Sequence, residues 1–303
     1  MAELELSEPT LDPDDGMLRM SIVEHLDELR TRILRALAGF GMAFLACMIF
    51  ASQLWKVVQA PGVAAFKEIG SGGFVAIGVM ERFSIIYVWT PLVAAIFLAF
   101  PWVIYQVWAF IAPGLYPRER KWALPFIVCT GGLFLCGGLF AYYVAFRYAL
   151  VFLLGIGEDV NVTSLISIDD YFTNFVNVML GISVIFELPV LIFFLTLIRV
   201  ASPSFLIRHS DYAILAIVIL AALVTPSPDA FNLTLFTVPM ILLYFLGVFA
   251  SYLLVMRREN RRFPWKGFLW WILAVLAVAA ICVALAITVY HYHFVPLWPL
   301  LTK

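Results

Sequence analysis

Residues 172–198 read FTNFVNVMLGISVIFELPVLIFFLTLI, and this stretch decides the fold. It is longer than the about 20 apolar residues with which an α-helix crosses a membrane, and Glu187 is its one charged residue. An acidic side chain there costs about 2.5–3.5 kcal/mol on insertion scales, and such residues are functional candidates by default. Pro189 also deprives the carbonyl of Ile185 of its helical donor. We predict a spanning helix that is locally open beside Glu187; a neutral, hydrogen-bonded structural glutamate is the alternative.

Composition extends this prediction to the whole chain. Hydrophobic residues make up 64% and charged residues 13% of the 303 residues, whereas a soluble domain is about half apolar and a quarter charged. These values exclude a soluble globular protein, a disordered chain and a nucleic-acid-binding protein. Further apolar runs with the composition of membrane spans lie at 33–53, 83–112, 123–150, 212–226 (which is short), 233–255 and 268–290. We predict an all-α polytopic membrane protein with a six-span core and a seventh, C-terminal span.

The distribution of charge predicts the orientation of the chain. Most of the 19 Lys and Arg residues fall on one side of the spans, and the positive-inside rule makes that side, with the N-terminus, cytoplasmic. Seven spans then place the C-terminus on the opposite, periplasmic side. We divide the chain into an acidic flexible cytoplasmic tail (1–20), a six-helix membrane core (21–256) and a C-terminal part (257–303). The last part holds a basic cytoplasmic segment, the extra transmembrane helix and a short outer tail.

Acidic residues stand out on the predicted inner face. Residues 21–30, SIVEHLDELR, predict an amphipathic helix with an acidic polar side, although interfacial helices usually carry Lys and Arg there. Asp27 and Glu28 on that side suit a cationic partner. Glu119 is the one acid in a basic connection after the second span. A solvated helix face and a surface ion pair of little energy are the alternatives.

No motif of a catalytic or metal site occurs in the sequence. The four cysteines lie in apolar runs without CxxC spacing, and no nucleophile, P-loop or zinc-protease motif is present. We therefore expect no enzyme activity, no metal and no cofactor. Asp229, in the turn TPSPD (225–229), has the position of a helix cap before the sixth span.

Several motifs, in this order and spacing, resemble those of the TatC family, the large polytopic subunit of the twin-arginine protein translocase. They are HLDELR (25–30), Ala60-Pro61 in the outer loop, the block 100–119, FELP (186–189), TPSPD (225–229) and Pro239 in the sixth span. Together they cover about residues 21–256. The family usually has six spans with both termini inside, so the run at 268–290 departs from its pattern.

This resemblance implies that the protein binds twin-arginine signal peptides of folded precursors and exports the precursors with the proton-motive force. Glu28 and Glu119 would bind the signal, with Asp27 and Arg30 beside them, because guanidinium groups pair best with carboxylates. It also implies a concave helical core in the cytoplasmic membrane and a multi-subunit complex with TatA-like and TatB-like single-span partners, without nucleic acid. Structural or partner-contact residues would be Pro61, Gln106, Phe110, Glu187, Pro189 and Asp229.

Two other functions stay open from the sequence. A proton-coupled secondary transporter of a small solute would use Glu187 as its proton carrier. It predicts inverted repeats, which the sequence does not show. A purely structural assembly scaffold would leave Glu28 and Glu119 replaceable.

Overall fold

The computed structural model describes residues 22–70, 72–76, 78–114, 123–156, 165–225, 227, 229–259, 293–294 and 301–302. They form α1 (Ile22–Ile49), α2 (Ala51–Ile69), β1 (Gly73–Val75), α3 (Val79–Ile111), α4 (Leu124–Gly155), β2 (Leu165–Ser167), α5 (Ile168–Ile185), α6 (Leu188–Leu197), α7 (Pro203–Arg208), α8 (Ser210–Val224) and α9 (Ala230–Arg258). In a second compact unit, β3 (His293–Phe294) and β4 (Leu301–Thr302) pair antiparallel.

Five stretches of the described residues are long and apolar enough to cross a membrane: α1, α3, α4, α5 together with α6, and α9. They confirm the predicted all-α polytopic class, in which helices satisfy their own backbone groups away from water. α8 has 15 residues, about 22 Å at about 1.5 Å per residue, against a hydrocarbon core of about 30 Å. The short run predicted at 212–226 is therefore a short helix. The predicted span at 268–290 and the tail 1–20 lie outside the described residues.

The start of α1 differs from the sequence-based prediction in two ways. Because no proline interrupts it, α1 is one continuous helix and not a separate amphipathic helix followed by a span from residue 33. Its apolar side is also the exposed one, since Val23 is 76% and Leu26 59% exposed, whereas Glu28 is half-buried. In a membrane an apolar helix face is directed to lipid, so the acidic residue is the one that packs inward.

The region around Pro61, predicted as an outer loop, is a helix. α2 continues through Pro61 although proline has no N–H to donate to the carbonyl of Val57. The hydroxyl of Tyr142, on α4, donates to that carbonyl instead, at 2.8 Å. A side chain of a neighbouring span thus replaces the missing helical bond.

Tyr171, on α5, continues this replacement one residue further along α2. Its hydroxyl accepts a hydrogen bond from the N–H of Gly62 at 3.2 Å and donates one to the carbonyl of Val58 at 2.7 Å. Residue 62 has to be a glycine because an added Cβ would lie 2.7 Å from Cε2 of Tyr171 and 2.5 Å from Cζ of Phe74. Phe74 belongs to β1, which pairs in parallel with β2. The connections that follow α2 and α4 are therefore held together.

Small residues on α4 allow α3 and α5 to pack closely against it. An added Cβ at Gly137 would lie 2.8 Å from the Cα of Ser183, and one at Gly138 would lie 2.6 Å from Cε1 of Phe97. The rings of Phe97 and Phe134 lie beside these glycines, with centroids 5.1 Å apart. This packing positions the end of α5, where the helix breaks.

Candidate functional site

Glu28 lies in the first turns of α1 and is half-buried. Its Oε1 accepts a hydrogen bond from Nη2 of Arg32, one turn later, at 3.2 Å. Its Oε2 is buried and has no hydrogen-bond partner among the described residues. One half of this carboxylate is thus available to a further cationic group.

The contact of α1 with the end of α3 determines what surrounds Glu28. The ring of His25 stacks on Phe110 with centroids 4.4 Å apart, and Nε1 of Trp102 donates to the carbonyl of Arg35 at 3.0 Å. Between these two contacts, on the same face of α3, lies Gln106. Its side chain is 2% exposed, and its Oε1 has no partner within the described part of the chain. The antiparallel course of α1 and α3 therefore places Gln106 opposite the turn that carries Glu28.

The structure separates the predicted signal-binding residues into two groups. Glu28 packs against α3 near Gln106 and Phe110, whereas Asp27 and Arg30 are exposed. Glu119 lies outside the described residues. Trp102, which the sequence analysis did not single out, anchors this contact; an added Cβ at Gly39 would overlap its indole ring, so a glycine on α1 facing a tryptophan on α3 was the available signal.

Glu187 lies at the break between α5 and α6 that Pro189 predicted. The N–H of Glu187 donates to the carbonyl of Val184 at 3.1 Å, a tighter bond than that of an α-helix, and its own carbonyl accepts from Leu191 at 2.9 Å. Its Oε1 is buried without a partner among the described residues. The break is confirmed, and it carries an acidic side chain that is incompletely hydrogen-bonded.

Asp229 caps α9, as predicted. Its Oδ1 accepts from the backbone N–H of Asn232 at 2.8 Å, and its Oδ2 accepts from Nδ2 of Asn232 at 2.7 Å and from the hydroxyl of Ser227. Burial raises the pKa of Asp229, but the hydrogen bonds from Asn232 and Ser227 lower it by more, so that this pKa lies below its ordinary value. Asn232, fully buried, is a structural residue that the sequence analysis missed; its position three residues after Asp229 was the signal.

Over the residues that the structure describes, no group of three or more His, Cys, Asp and Glu side chains could hold a metal ion. The incompletely paired acidic groups of Glu28 and Glu187 are therefore suited to hydrogen-bonding or cationic partners.

Comparison with known proteins identifies relatives of this fold. Residues 24–239 match the family model of TatC, described as Sec-independent protein translocase protein. The TatC protein of Koribacter versatilis (strain Ellin345) is 37% identical over 262 residues, which cover 84% of this chain and 96% of the relative. TatCy of Bacillus subtilis (strain 168) is 32% identical over 233 residues, covering 77% and 89%. A crystal structure of the twin-arginine translocase receptor TatC in DDM matches with a TM-score of 0.66 and 28% identity, covering 75% of this chain and 99% of that one.

The fold and the site define a polytopic helical membrane protein whose buried acidic groups lie at helix contacts. The chain belongs to the TatC family of Sec-independent protein translocase proteins, and the resemblance found in its motifs is confirmed. It is therefore a core subunit of the twin-arginine translocation system, a multi-subunit protein translocase.

Proposed function

We propose that this subunit is the receptor that binds twin-arginine signal peptides at the cytoplasmic face and then takes part in exporting the folded precursor with the proton-motive force. The observation that carries the proposal is the carboxylate of Glu28, whose second oxygen is buried without a partner among the described residues. A buried, unpaired acceptor costs about 1–3 kcal/mol, and an arginine of the signal would relieve that cost.

The chemistry of the arginine pair supports this assignment. A guanidinium group forms two parallel, charge-assisted hydrogen bonds with a carboxylate, a geometry that the point charge of lysine does not reproduce. Glu28 offers one unpaired oxygen beside the one that Arg32 occupies. We assign the second arginine to Glu119, with Asp27 and Arg30 as exposed neighbours that guide the approach of the signal.

Gln106 and Phe110 belong to this proposal as positioning residues. Phe110 stacks on His25, one turn before Glu28, and the buried amide of Gln106 lies opposite the same turn. Both therefore hold the first turns of α1 against α3, which keeps Glu28 turned toward the protein. Pro61, Pro189 and Asp229 have structural roles in α2, in the α5–α6 break and in the cap of α9.

Partners and location complete the proposal. TatA-like and TatB-like single-span subunits assemble with this protein in the cytoplasmic membrane, where Glu187 offers a hydrogen-bonding group to a partner helix. The N-terminus is cytoplasmic, the core spans residues 21–256, and the run at 268–290 crosses the membrane so that the C-terminus is periplasmic. The proposed localisation rests on the charge distribution along the sequence.

The test is photocrosslinking and binding of a twin-arginine precursor to the membrane-embedded complex. Loss of one partner of a desolvated charge pair costs about 2–5 kcal/mol, so Glu28→Ala and Glu119→Ala should each weaken precursor binding by about thirtyfold or more. Exchange of the two signal arginines for lysines should also weaken binding. Glu24→Ala, an exposed acid one turn before Glu28, is the matched control and should bind normally. Undiminished binding by the Glu28→Ala, Glu119→Ala double variant would refute the proposal.

A further inference from the structure

Three buried polar atoms lie where α3, α4 and α6 meet, each without a hydrogen-bond partner among the described residues. They are Nε1 of Trp108, Oγ1 of Thr130 and Oε1 of Glu187. Trp108 and Thr130 are only 3% and 4% exposed. Buried polar groups are nearly always paired with protein or with ordered water, so three unpaired atoms in one contact region require a physical account.

Aromatic packing fixes how the three helices face each other in this region. The indole of Trp108 stacks on Phe126 with centroids 4.4 Å apart and meets Phe194 edge-on at 5.5 Å, and Phe126 and Phe194 are 5.5 Å apart. Thr130 follows Phe126 by four residues, and Glu187 precedes Phe194 by seven; both spacings return to the same face of a helix. Thr130 and Glu187 therefore lie along the same seam as Trp108.

Thr130 and Glu187 come closer still through the backbone of α4. The carboxyl group of Glu187 meets the backbone amide of Phe134. Since Phe134 follows Thr130 by four residues, this amide and the side chain of Thr130 are neighbours on one helix face. A threonine hydroxyl can donate and accept, so it suits a carboxyl group whose buried oxygen is unpaired.

We propose that Thr130 is a positioning residue for Glu187, acting through a buried water molecule at this seam. The water accepts a hydrogen bond from the indole N–H of Trp108 and donates one each to Oγ1 of Thr130 and Oε1 of Glu187. A buried water typically makes about three hydrogen bonds, and this arrangement satisfies all three unpaired atoms. The bonds hold the Glu187 side chain in the seam until a partner helix competes for it, which rests on the proposed role of Glu187 as a partner contact.

Infrared spectroscopy of the full chain in lipid vesicles tests the positioning role. The band of the Glu187 carboxyl group is the one that disappears in Glu187→Gln. Thr130→Val replaces the hydroxyl by a methyl group of similar size and should shift this band toward that of a carboxyl with fewer hydrogen bonds. Thr130→Ser restores the hydroxyl and should restore the band.

Thr237→Val is the matched control for loss of a buried threonine hydroxyl. Thr237, on α9, is also buried and has an unpaired Oγ1 among the described residues, but α9 contributes none of the three atoms of the seam. Its substitution should leave the Glu187 band in place. An unshifted band in Thr130→Val, in protein that melts at the wild-type temperature, overturns the proposal. A shift of the same size in Thr237→Val overturns it as well.

Export and partner crosslinking in the same variants separate this inference from the proposed function. Thr130→Val should lower export by roughly threefold to tenfold, the effect of about one membrane hydrogen bond, and Thr130→Ser should recover it. If Glu187→Ala exports normally while the band still shifts in Thr130→Val, the partner role of Glu187 fails and the positioning by Thr130 stands. If Glu187→Ala abolishes export and the band does not shift, the positioning fails and the partner role stands.

Discussion

Pro61 and Pro189 both deprive a helix of a backbone donor, and the chain responds differently at the two places. α2 continues through Pro61, because the hydroxyl of Tyr142 donates to the carbonyl of Val57 at 2.8 Å. Before Pro189 the helix breaks into α5 and α6, and the N–H of Glu187 closes a tighter bond at 3.1 Å. A side chain from a neighbouring span maintains the first helix, whereas local backbone adjustment ends the second.

This difference separates a structural region from a functional candidate. Around Pro61, hydroxyl groups supply the bonds that the helix lacks, which is how natural proteins stabilise a fixed arrangement. Beside Pro189, the carboxyl group of Glu187 keeps a buried oxygen that is unpaired among the described residues. Violations of local pairing rules concentrate at functional sites, so the second region is where we expect partner contacts.

The largest effect on stability is expected for Tyr171→Phe. This substitution removes a hydroxyl that bonds both the N–H of Gly62 and the carbonyl of Val58 in a buried environment. Each buried backbone group left unpaired costs about 1–3 kcal/mol, so the free energy of unfolding should fall by at least that amount. Thermal unfolding of the purified protein in detergent measures the change.

Tyr142→Phe is the matched control for Tyr171→Phe. The Tyr142 hydroxyl makes one described bond, to an exposed carbonyl that water can reach, so its loss should cost about 0.5–1.5 kcal/mol. Equal losses in the two variants would mean that the buried hydroxyl of Tyr171 does not replace a helical bond. In that case α2 would be held by ring packing alone.

Local and distant causes explain which features could be predicted from the sequence. The break before Pro189 and the cap at Asp229 depend on residues within a few positions, and both were predicted correctly. The continuation of α2 through Pro61 depends on Tyr142, 85 residues from Val57, and on Tyr171, 113 residues from Val58, and no local pattern contains that information. The inward side of Glu28 was missed because the amphipathic pattern was interpreted for a helix in water, and lipid reverses which face is buried.

A smaller effect is expected at Glu187, and it appears in export and not in folding. Glu187→Gln keeps a group that can donate and accept hydrogen bonds, whereas Glu187→Ala removes it. Hydrogen bonds between membrane helices contribute about 0.6 kcal/mol on average and up to about 1.7 kcal/mol, so Ala should reduce partner crosslinking and export by roughly threefold to tenfold. Gln should retain most of both, and precursor binding at Glu28 should be intact in each variant.

Two outcomes would change this interpretation of Glu187. If Ala exports and crosslinks like the wild type, the residue is only structural. If Gln is as inactive as Ala, then ionisation of the carboxyl group is required, and a proton-carrying role gains support over a hydrogen-bonding one.

The smallest effect on stability is expected for Pro61→Ala, and its comparison with Pro189→Ala tests the contrast between the two regions directly. An alanine at 61 adds an N–H that shares the carbonyl of Val57 with Tyr142, because a carbonyl oxygen has two lone pairs. The helix already exists there, so the free energy of unfolding should change by less than about 1 kcal/mol. An alanine at 189 gives the carbonyl of Ile185 a donor it can use to close the break. In solid-state NMR of the protein in lipid vesicles, the carbonyl carbon of Ile185 should therefore shift in Pro189→Ala, while that of Val57 stays nearly unchanged in Pro61→Ala. The reverse pattern would show that Tyr142 does not maintain α2 and that Pro189 does not cause the break.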